Sequence, residues 1–275
     1  MREQVFAGSF YPADKNETIA FIKNAMKNAN VDEKNVENAY SYVSPHAGYI
    51  YSGKTAAFTY KALSVNKNID EIETIVIIGP NHTGFGQPIS ISLKDWKTPI
   101  GIAKNDEKLS NAIVRSSDYI SINEDAHAQE HSIEVQLPFL QFATNQKKFV
   151  FICMGDQSTN ASVLLSDAIL KAEEKTKRKI TVLASSDFNH YESLSITKKK
   201  DTKVLGAIKN LDYLNFNKLI GLLPDSVCGF GPITVAMLFA KKKGAESGIL
   251  LDYSTSGDQT GDYASVVAYS SIAFI

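Results

Sequence analysis

The sequence predicts an α/β protein with a mostly parallel central sheet and helices on both of its faces. Short apolar runs alternate with helical patterns along all 275 residues, which is the order that βαβ units produce. One of these runs, residues 75–78, is apolar at every position, as expected for a strand that is covered on both sides.

The predicted elements follow one another along the whole chain. Strands are expected at residues 40–43, 74–78, 89–93, 149–154, 180–184, 248–253 and 264–274. Helices are expected at residues 17–28, 54–63, 106–116, 132–142, 161–175, 197–209 and 233–242. Because no low-complexity linker, internal repeat or change of composition divides the chain, residues 1–275 are predicted to form a single domain.

Composition argues against several functional classes. The apolar fraction is 44% and the charged fraction 21%, which is ordinary for a globular protein. A net charge of −1 gives no basis for bulk binding of nucleic acid or of an anionic membrane. No apolar run has the length of a membrane span, and no signal peptide is visible. We therefore expect a soluble, cytoplasmic protein that binds neither nucleic acid nor membranes.

All five histidines lie in short polar or glycine-rich segments, most of which follow a predicted strand. His46 follows the first strand, His82 lies four residues beyond Ile78, and His190 follows the strand at residues 180–184. Loops at the carboxyl ends of parallel strands meet at one edge of a sheet. Histidine is both a common metal ligand and an acid or base near neutral pH. The pattern therefore predicts that the histidines build one site.

Each segment also has a purely structural interpretation. His46 alone is as consistent with a loop-capping hydrogen bond as with function, and the loop of His82 is consistent with a flexible turn. That loop is rich in glycine but lacks the phosphate-binding signatures. Asp187 and His190 form Asp-x-x-His, in which the carboxylate can orient the imidazole or share a metal with it. The alternative is a helix cap at Asp187 and an exposed His190.

His127 and His131 are four residues apart, so they share a face if the segment is helical. The His-Glu-x-x-His order of zinc proteases is absent, which disfavours that chemistry. His127 is expected to be a surface residue. Glu130, His131 and Glu134 are expected to face the site.

The two cysteines have different expected roles. Cys228 precedes the predicted helix at residues 233–242, where a lowered thiol pKa would make it a nucleophile or a soft metal ligand. Cys153 lies within a predicted strand and is interpreted as a small buried residue. Two histidines with a thiolate or carboxylate suit iron(II), copper or zinc rather than magnesium or calcium.

Several short motifs carry a family resemblance, and they span the chain in order. They are Ala7-Gly8-Ser9-Phe10-Tyr11, Pro45-His46-Ala47-Gly48-Tyr49, Gly79-Pro80-Asn81-His82, Glu130-His131-Ser132-Ile133-Glu134, Ser185-Ser186-Asp187-Phe188-Asn189-His190, Cys228-Gly229 and residues 263–268. With these motifs the chain resembles the Memo family, whose prokaryotic members are called AmmeMemoRadiSam system protein B.

The Memo family is similar in fold to class III extradiol (LigB-type) dioxygenases, so the resemblance implies a three-layer αβα sandwich. It also implies that His46, His82 and Cys228 are metal ligands and that Asp187 and His190 are the family's Asp-x-x-His pair. The third ligand of the dioxygenases is a carboxylate. A thiolate in its place argues against ring cleavage and favours softer metals such as copper(I).

The chain departs from the family at one motif. Family members often have Cys-Gly-Arg-His-Pro, whereas this chain has Cys228-Gly229-Phe230-Gly231-Pro232. A basic group and an imidazole beside the cysteine are therefore missing here.

Three functions remain open at this point. The first is redox or dioxygenase-like chemistry on an unknown small substrate, with non-haem iron(II) or copper (or zinc) as the cofactor. Its expected ligands are His46, His82 and Cys228, and its expected catalytic residues are His190, Asp187 and His131. The second is a catalytically inactive dioxygenase fold that binds a peptide or small anion. The third is a hydrolase with Cys228 as its nucleophile. Other AmmeMemoRadiSam system proteins are further candidate partners.

Overall fold

A computed structural model describes residues 1–145, 147–223 and 226–275 of the chain. The strands in that part are β1 (Ser41–Ser44), β2 (Thr74–Pro80), β3 (Ile89–Ser92), β4 (Trp96–Thr98), β5 (Gly101–Ala103), β6 (Ile120–Ile122), β7 (Lys148–Met154), β8 (Ile180–Ser185), β9 (His190–Glu192), β10 (Gly248–Thr255) and β11 (Val266–Phe274).

The α-helices of the same residues are α1 (Lys15–Asn28), α2 (Glu33–Val36), α3 (Tyr49–Ser64), α4 (Glu107–Val114), α5 (Asp125–Ala128), α6 (Leu137–Ala143), α7 (Thr159–Thr176), α8 (Leu194–Lys209), α9 (Tyr213–Leu222), α10 (Phe230–Lys243) and α11 (Gly257–Thr260). A short 3₁₀ helix, Glu134–Gln136, directly precedes α6.

One large mixed sheet forms the centre of the molecule. Its strand order is β10-β11-β1-β8-β2-β7-β3-β6, and β9 pairs with β11 outside this path. The four central strands β1, β8, β2 and β7 are mutually parallel, whereas β11 and β3 flank them in the antiparallel sense. β4 and β5 form a separate two-stranded sheet. The prediction of a largely parallel centre is confirmed, and the two strands that flank this centre, β11 and β3, run antiparallel to it.

Helices cover both faces of this sheet. Alternate residues of β2 enter two different cores, because successive side chains of a strand point to opposite faces. Ile75 and Ile77 pack with residues of α1, α3 and α6 on one face. Val76 and Ile78 pack with residues of α7 and α10 on the other face. The predicted α/β class with helices on both sides is therefore confirmed.

The predicted helix at residues 132–142 is wrong at its beginning. The chain instead forms the 3₁₀ helix before α6 begins at Leu137. Pro138 occupies the first turn of α6, where the missing N–H of a proline costs no intrahelical hydrogen bond. Among the described residues, no helix has the length and apolar character needed to cross a lipid bilayer.

Candidate metal centre

Three histidine side chains from three separate segments meet at one edge of the sheet. His46 follows β1, His82 follows β2, and His131 lies between α5 and the 3₁₀ helix. Their ring centroids are 5.1 Å (His46–His82), 5.2 Å (His46–His131) and 4.6 Å (His82–His131) apart. One ligand atom from each ring lies within 4.8 Å of the other two. The convergence predicted for the first two loops is present, and His131 completes the group.

A serine on β8 fixes the protonation of the His46 ring. The Ser185 hydroxyl donates to the Ser132 carbonyl at 2.6 Å, so its oxygen can only accept from other partners. His46 Nδ1 lies 2.9 Å from that oxygen. Nδ1 therefore carries the proton and donates it to Ser185. The lone pair of His46 is left on Nε2, the atom through which this ring would bind a metal.

Gln136 holds this serine in place. Its amide nitrogen donates to Ser185 Oγ at 2.8 Å and to the Pro45 carbonyl at 3.0 Å. Its amide oxygen accepts a hydrogen bond from the Tyr60 hydroxyl, which fixes which end of the amide is the donor. All of these groups are buried. Each donor and acceptor named here has a hydrogen-bond partner, and a buried polar network rigidifies a site only when this is so.

The carboxylate of Glu130 positions the other two histidines. Its Oε2 accepts from the His82 backbone N–H at 2.6 Å, and its Oε1 lies 2.9 Å from His82 Nδ1. Oε1 also lies 3.4 Å from His131 Nδ1 and accepts from the Ser132 backbone N–H at 2.9 Å. These donors and salt contacts hold the pKa of Glu130 at about 2 although burial opposes its ionisation. An ionised carboxylate on Nδ1 directs Nε2 of a histidine toward a metal.

Burial keeps the imidazoles of His46 and His131 neutral. It lowers the pKa of His131 to about 4, and it lowers the pKa of His46 well below its usual range. The neighbouring histidines reinforce the shift for His46. Only a neutral imidazole has a lone pair for a metal ion. Two of the three rings are therefore ready to bind a metal at neutral pH without first losing a proton.

Cys228 lies directly beside His46. Its Sγ is 3.2 Å from His46 Nε2 and 3.3 Å from the Asp187 backbone nitrogen. Gly229 allows this loop to press against β8, because a Cβ there would come within 2.4 Å of the Ser185 carbonyl. Burial, followed by the charge of Asp187, raises the pKa of the Cys228 thiol. The expectation that the following helix lowers the pKa of this thiol is therefore wrong.

Asp187 links two of the loops that form the site. Its Oδ1 accepts from the His46 backbone N–H at 2.7 Å, which ties the loop after β8 to the loop after β1. Burial raises the pKa of Asp187 to about 7, and backbone hydrogen bonds from His46 and Ala47 oppose that shift. His190 begins β9 and is half-buried.

A cleft of about 510 Å³ opens beside the histidines. His82, His190, Tyr191 and Cys228 line it together with the apolar side chains Ile220, Leu223, Val227 and Phe230 and with Ser226. Tyr191 is 77% exposed and has a positive φ of 59°. The structure therefore brings His190 and Cys228 to the same cavity as His82. Its volume is in the range of small-molecule sites.

Comparisons with known proteins identify the family. The sequence profile of the Memo-like protein family matches residues 2–273. The chain belongs to the Memo-like family. It is 41% identical over 277 residues to a MEMO1 family protein of Archaeoglobus fulgidus, covering 100% of this chain and 99% of that one. It is 38% identical over 273 residues to a MEMO1 family protein of Methanosarcina barkeri, covering 99% of each.

One solved structure supports the fold of this Memo-like chain. It is an uncharacterized protein, JW3007, from Escherichia coli K12. The TM-score is 0.51 at 13% sequence identity, and the match covers 78% of this chain and 91% of the other. A likeness at that level of identity concerns the fold alone.

The Memo-like motif around Glu134 has a structural role that sequence reasoning missed. Glu134 is fully buried and accepts from Arg2 Nη1 at 2.5 Å and from the Tyr11 hydroxyl at 2.6 Å. It also accepts from the backbone nitrogens of Val5 and Phe6. Glu134 therefore holds residues 2–11 against the site rather than facing the histidines. The polar and aromatic motif at residues 7–11 was the available signal.

Those first residues also supply aromatic neighbours for a histidine of the site. Phe6 contacts His131 edge-on with ring centroids 5.6 Å apart, and Phe10 lies 4.8 Å from the same ring. Aromatic rings on one side of an imidazole restrict its rotation and exclude water. The segment thus completes the wall around His131.

Three further predictions, which concern His127 and Cys153, can be compared with the structure. His127 is not a surface residue: it is fully buried, and its Nε2–H donates to the Ser90 carbonyl at 3.2 Å. Burial lowers the pKa of His127 to about 3, so the ring is neutral and structural. The short helix α5 ends at Ala128, so His127 and His131 do not share a helical face. The prediction that Cys153 is a buried residue is confirmed.

Proposed function

We propose that this Memo-family protein binds one transition-metal ion through His46, His82 and His131. The single observation that carries the proposal is the convergence of three ligand atoms within 4.8 Å of one another. The resemblance assigned Cys228 as the third ligand. We give that place to His131 and treat Cys228 as a fourth ligand, because its Sγ lies 3.2 Å from His46 Nε2.

The side chains at this site suit a transition-metal ion. With their ligand atoms within 4.8 Å of one another, His46, His82 and His131 are close enough to hold one ion together. Imidazole and thiol donors suit iron(II), copper or zinc, and the sulfur favours the softer ions. The metal would supply a Lewis acid or, with iron or copper, a one-electron redox centre.

The proposed chemistry is redox or dioxygenase-like and acts on a small substrate in the neighbouring cleft. His190 would be the acid or base, because it lines the same cleft as His82 and Cys228. Asp187 is assigned a positioning role through the His46 backbone N–H. The apolar lining of the cleft would exclude water from the reacting groups. A LigB-type relationship is part of this proposal and rests on the sequence resemblance.

Metal analysis of tag-free protein tests the ligand set. We expect near-stoichiometric iron or copper in the wild type, by ICP-MS, after purification or anaerobic reconstitution. His46→Ala, His82→Ala and His131→Ala should lose it, and Cys228→Ser should hold it more weakly. His190→Ala is the matched control and should retain the metal while losing turnover. Full metal occupancy in His46→Ala would contradict the assignment of His46 as a ligand. If the wild type remains metal-free after reconstitution, the alternative of an inactive dioxygenase fold that binds a peptide or small anion would be favoured.

A cysteine hydrolase is the second candidate, and the contact between Cys228 and His46 is the observation that favours it. The contact differs from the expectation for a hydrolase in which His190, oriented by Asp187, would be the base for Cys228. However, burial raises the pKa of the thiol and lowers that of the imidazole, which opposes a thiolate–imidazolium pair. Stoichiometric labelling of Cys228 by iodoacetamide at pH 7, with loss of a metal-independent activity, would support the hydrolase over the metal site.

A further inference from the structure

A second cleft lies far from the histidines. It has a volume of about 670 Å³ and lies where α4, the end of α7 and the first residue of β7 meet. Lys148 opens β7 at this cleft, whereas Met154 closes the strand beside Pro80 at the histidine edge. At about 3.3 Å per residue the two ends are roughly 20 Å apart. The cleft is therefore separate from the candidate metal centre.

Charge is concentrated in this cleft. Its lining contains five cationic side chains and two carboxylates, although the whole chain has a net charge of −1. The cationic residues are Lys108, Arg115, Lys148, Lys175 and Arg178. Like charges around a concave surface repel one another, and an anion in the middle would relieve that repulsion.

Two of these five cationic side chains contact an acceptor among the described residues. Arg178 pairs with Glu73 at 2.8 Å and with the buried Asp106 at 3.0 Å. Lys108 Nζ donates to the Thr176 carbonyl at the end of α7. The described residues place no carboxylate or carbonyl partner on the side chains of Arg115, Lys148 and Lys175. Those three cations converge on the cleft from three different elements.

We propose that this cleft binds a small phosphate-bearing molecule. An arginine fork recognises phosphate oxygens in pairs, and lysines add point charges around them. The volume lies within the usual range for small-ligand sites, and it has room for more than one phosphate group. Arg115, Lys148 and Lys175 are the residues that contact the anion.

Calorimetric titration with pyrophosphate at 0.1 M salt tests the site. Arg115→Ala, Lys148→Ala and Lys175→Ala should each raise the Kd about tenfold, as expected for the loss of one charge-assisted contact. Lys23→Ala, an exposed lysine of α1, is the control and should leave the Kd unchanged. His46→Ala should also leave it unchanged, because the cleft is independent of the metal centre.

Three outcomes would overturn the proposal. The first is equal weakening by Lys23→Ala, which would mean diffuse attraction by the surface. The second is the absence of heat from pyrophosphate in the wild type. The third is tighter binding of a short single-stranded RNA than of pyrophosphate with the same dependence on Arg115, which would indicate a nucleic-acid surface. Parallel titrations with orthophosphate and ATP separate a free phosphate group from a nucleotide as the source of the shared chemistry.

Discussion

The chemistry of the histidines is decided by two neighbours that contact their Nδ1 atoms. Ser185 accepts from His46, and Glu130 faces both His82 and His131. Both neighbours are fully buried, so water cannot replace them easily when they are removed. The lone pairs of His46 and His82 are consequently left on Nε2. At the scale of single residues, the site depends as much on these two groups as on the rings.

Replacing Ser185 with alanine should weaken metal binding without removing a proposed ligand. His46 would lose the acceptor that fixes its tautomer, and changes of this kind typically lower metal affinity about 10–100-fold. Competition with a chromophoric chelator would measure the affinity. Ser166→Ala is the matched control, since Ser166 is also buried but lies on α7. Equal losses in both variants would show that His46 does not depend on Ser185.

Glu130→Gln should weaken metal binding by a similar factor, about 10–100-fold. Both carboxylate oxygens accept from N–H groups, so the NH₂ end of glutamine must face one of these donors. Nitrogen chemical shifts of the imidazoles would report the change of tautomer at His82. Circular dichroism would establish that the variant is folded. Retained affinity with unchanged imidazole shifts would contradict the positioning role of Glu130.

The sequence predicted the convergence of His46 and His82 better than it predicted the groups that hold them in place. His46 and His82 follow strands whose apolar character was visible, so their convergence could be foreseen. Ser185 and Gln136 could not, because their roles depend on hydrogen bonds between segments 49 residues apart. His127 was mistaken for a surface residue because one buried hydrogen bond to β3 leaves no local pattern.

At the scale of elements, long periodic segments were predictable and short ones were not. All seven predicted strands exist, with ends that differ by up to two residues. The three-residue strands β4, β5, β6 and β9 were missed, because a period of two needs more residues to be recognised. β9 matters most, since it places His190 at the cleft by pairing with β11.

A buried carboxylate on α8 should make stability depend on pH. Asp201 accepts from the Tyr253 hydroxyl of β10 and from the Asn189 backbone N–H, and burial raises its pKa from 3.8 to about 7. The folded protein therefore holds this proton more tightly than the unfolded chain. The stabilisation is fully present below about pH 3.8 and is lost as the pH rises through about 7.

Asp201→Asn should reduce the loss of stability between pH 5 and pH 8. We expect the substitution to raise the free energy of unfolding at pH 8 by roughly 1–3 kcal/mol more than it does at pH 5. Urea unfolding at the two pH values measures this difference. Asp118→Asn, at an exposed position, should change neither value. An unaltered pH dependence in Asp201→Asn would exclude the buried carboxylate as its source.

At the scale of the whole molecule, metal binding should stabilise the fold. A ligand that binds only the folded state at 100 times its Kd adds about 2.7 kcal/mol to the free energy of unfolding. We expect iron(II) or copper to raise the Tm of the wild type and EDTA to reverse the rise. The double variant His46→Ala/His82→Ala should show no shift. An equal rise in this variant would mean that the ion binds elsewhere.

The position of β8 between β1 and β2 determines when the proposed metal centre can form. β1 and β2 carry His46 and His82 but do not touch each other, because β8, which begins 100 residues after β2 ends, is inserted between them. A nascent chain that has not yet emerged as far as Ser185 therefore has neither the spacing of the two loops nor the acceptor for His46. An ion bound as proposed could therefore not nucleate folding from the amino-terminal half. It would enter late, and cells would need to deliver it to a nearly finished protein.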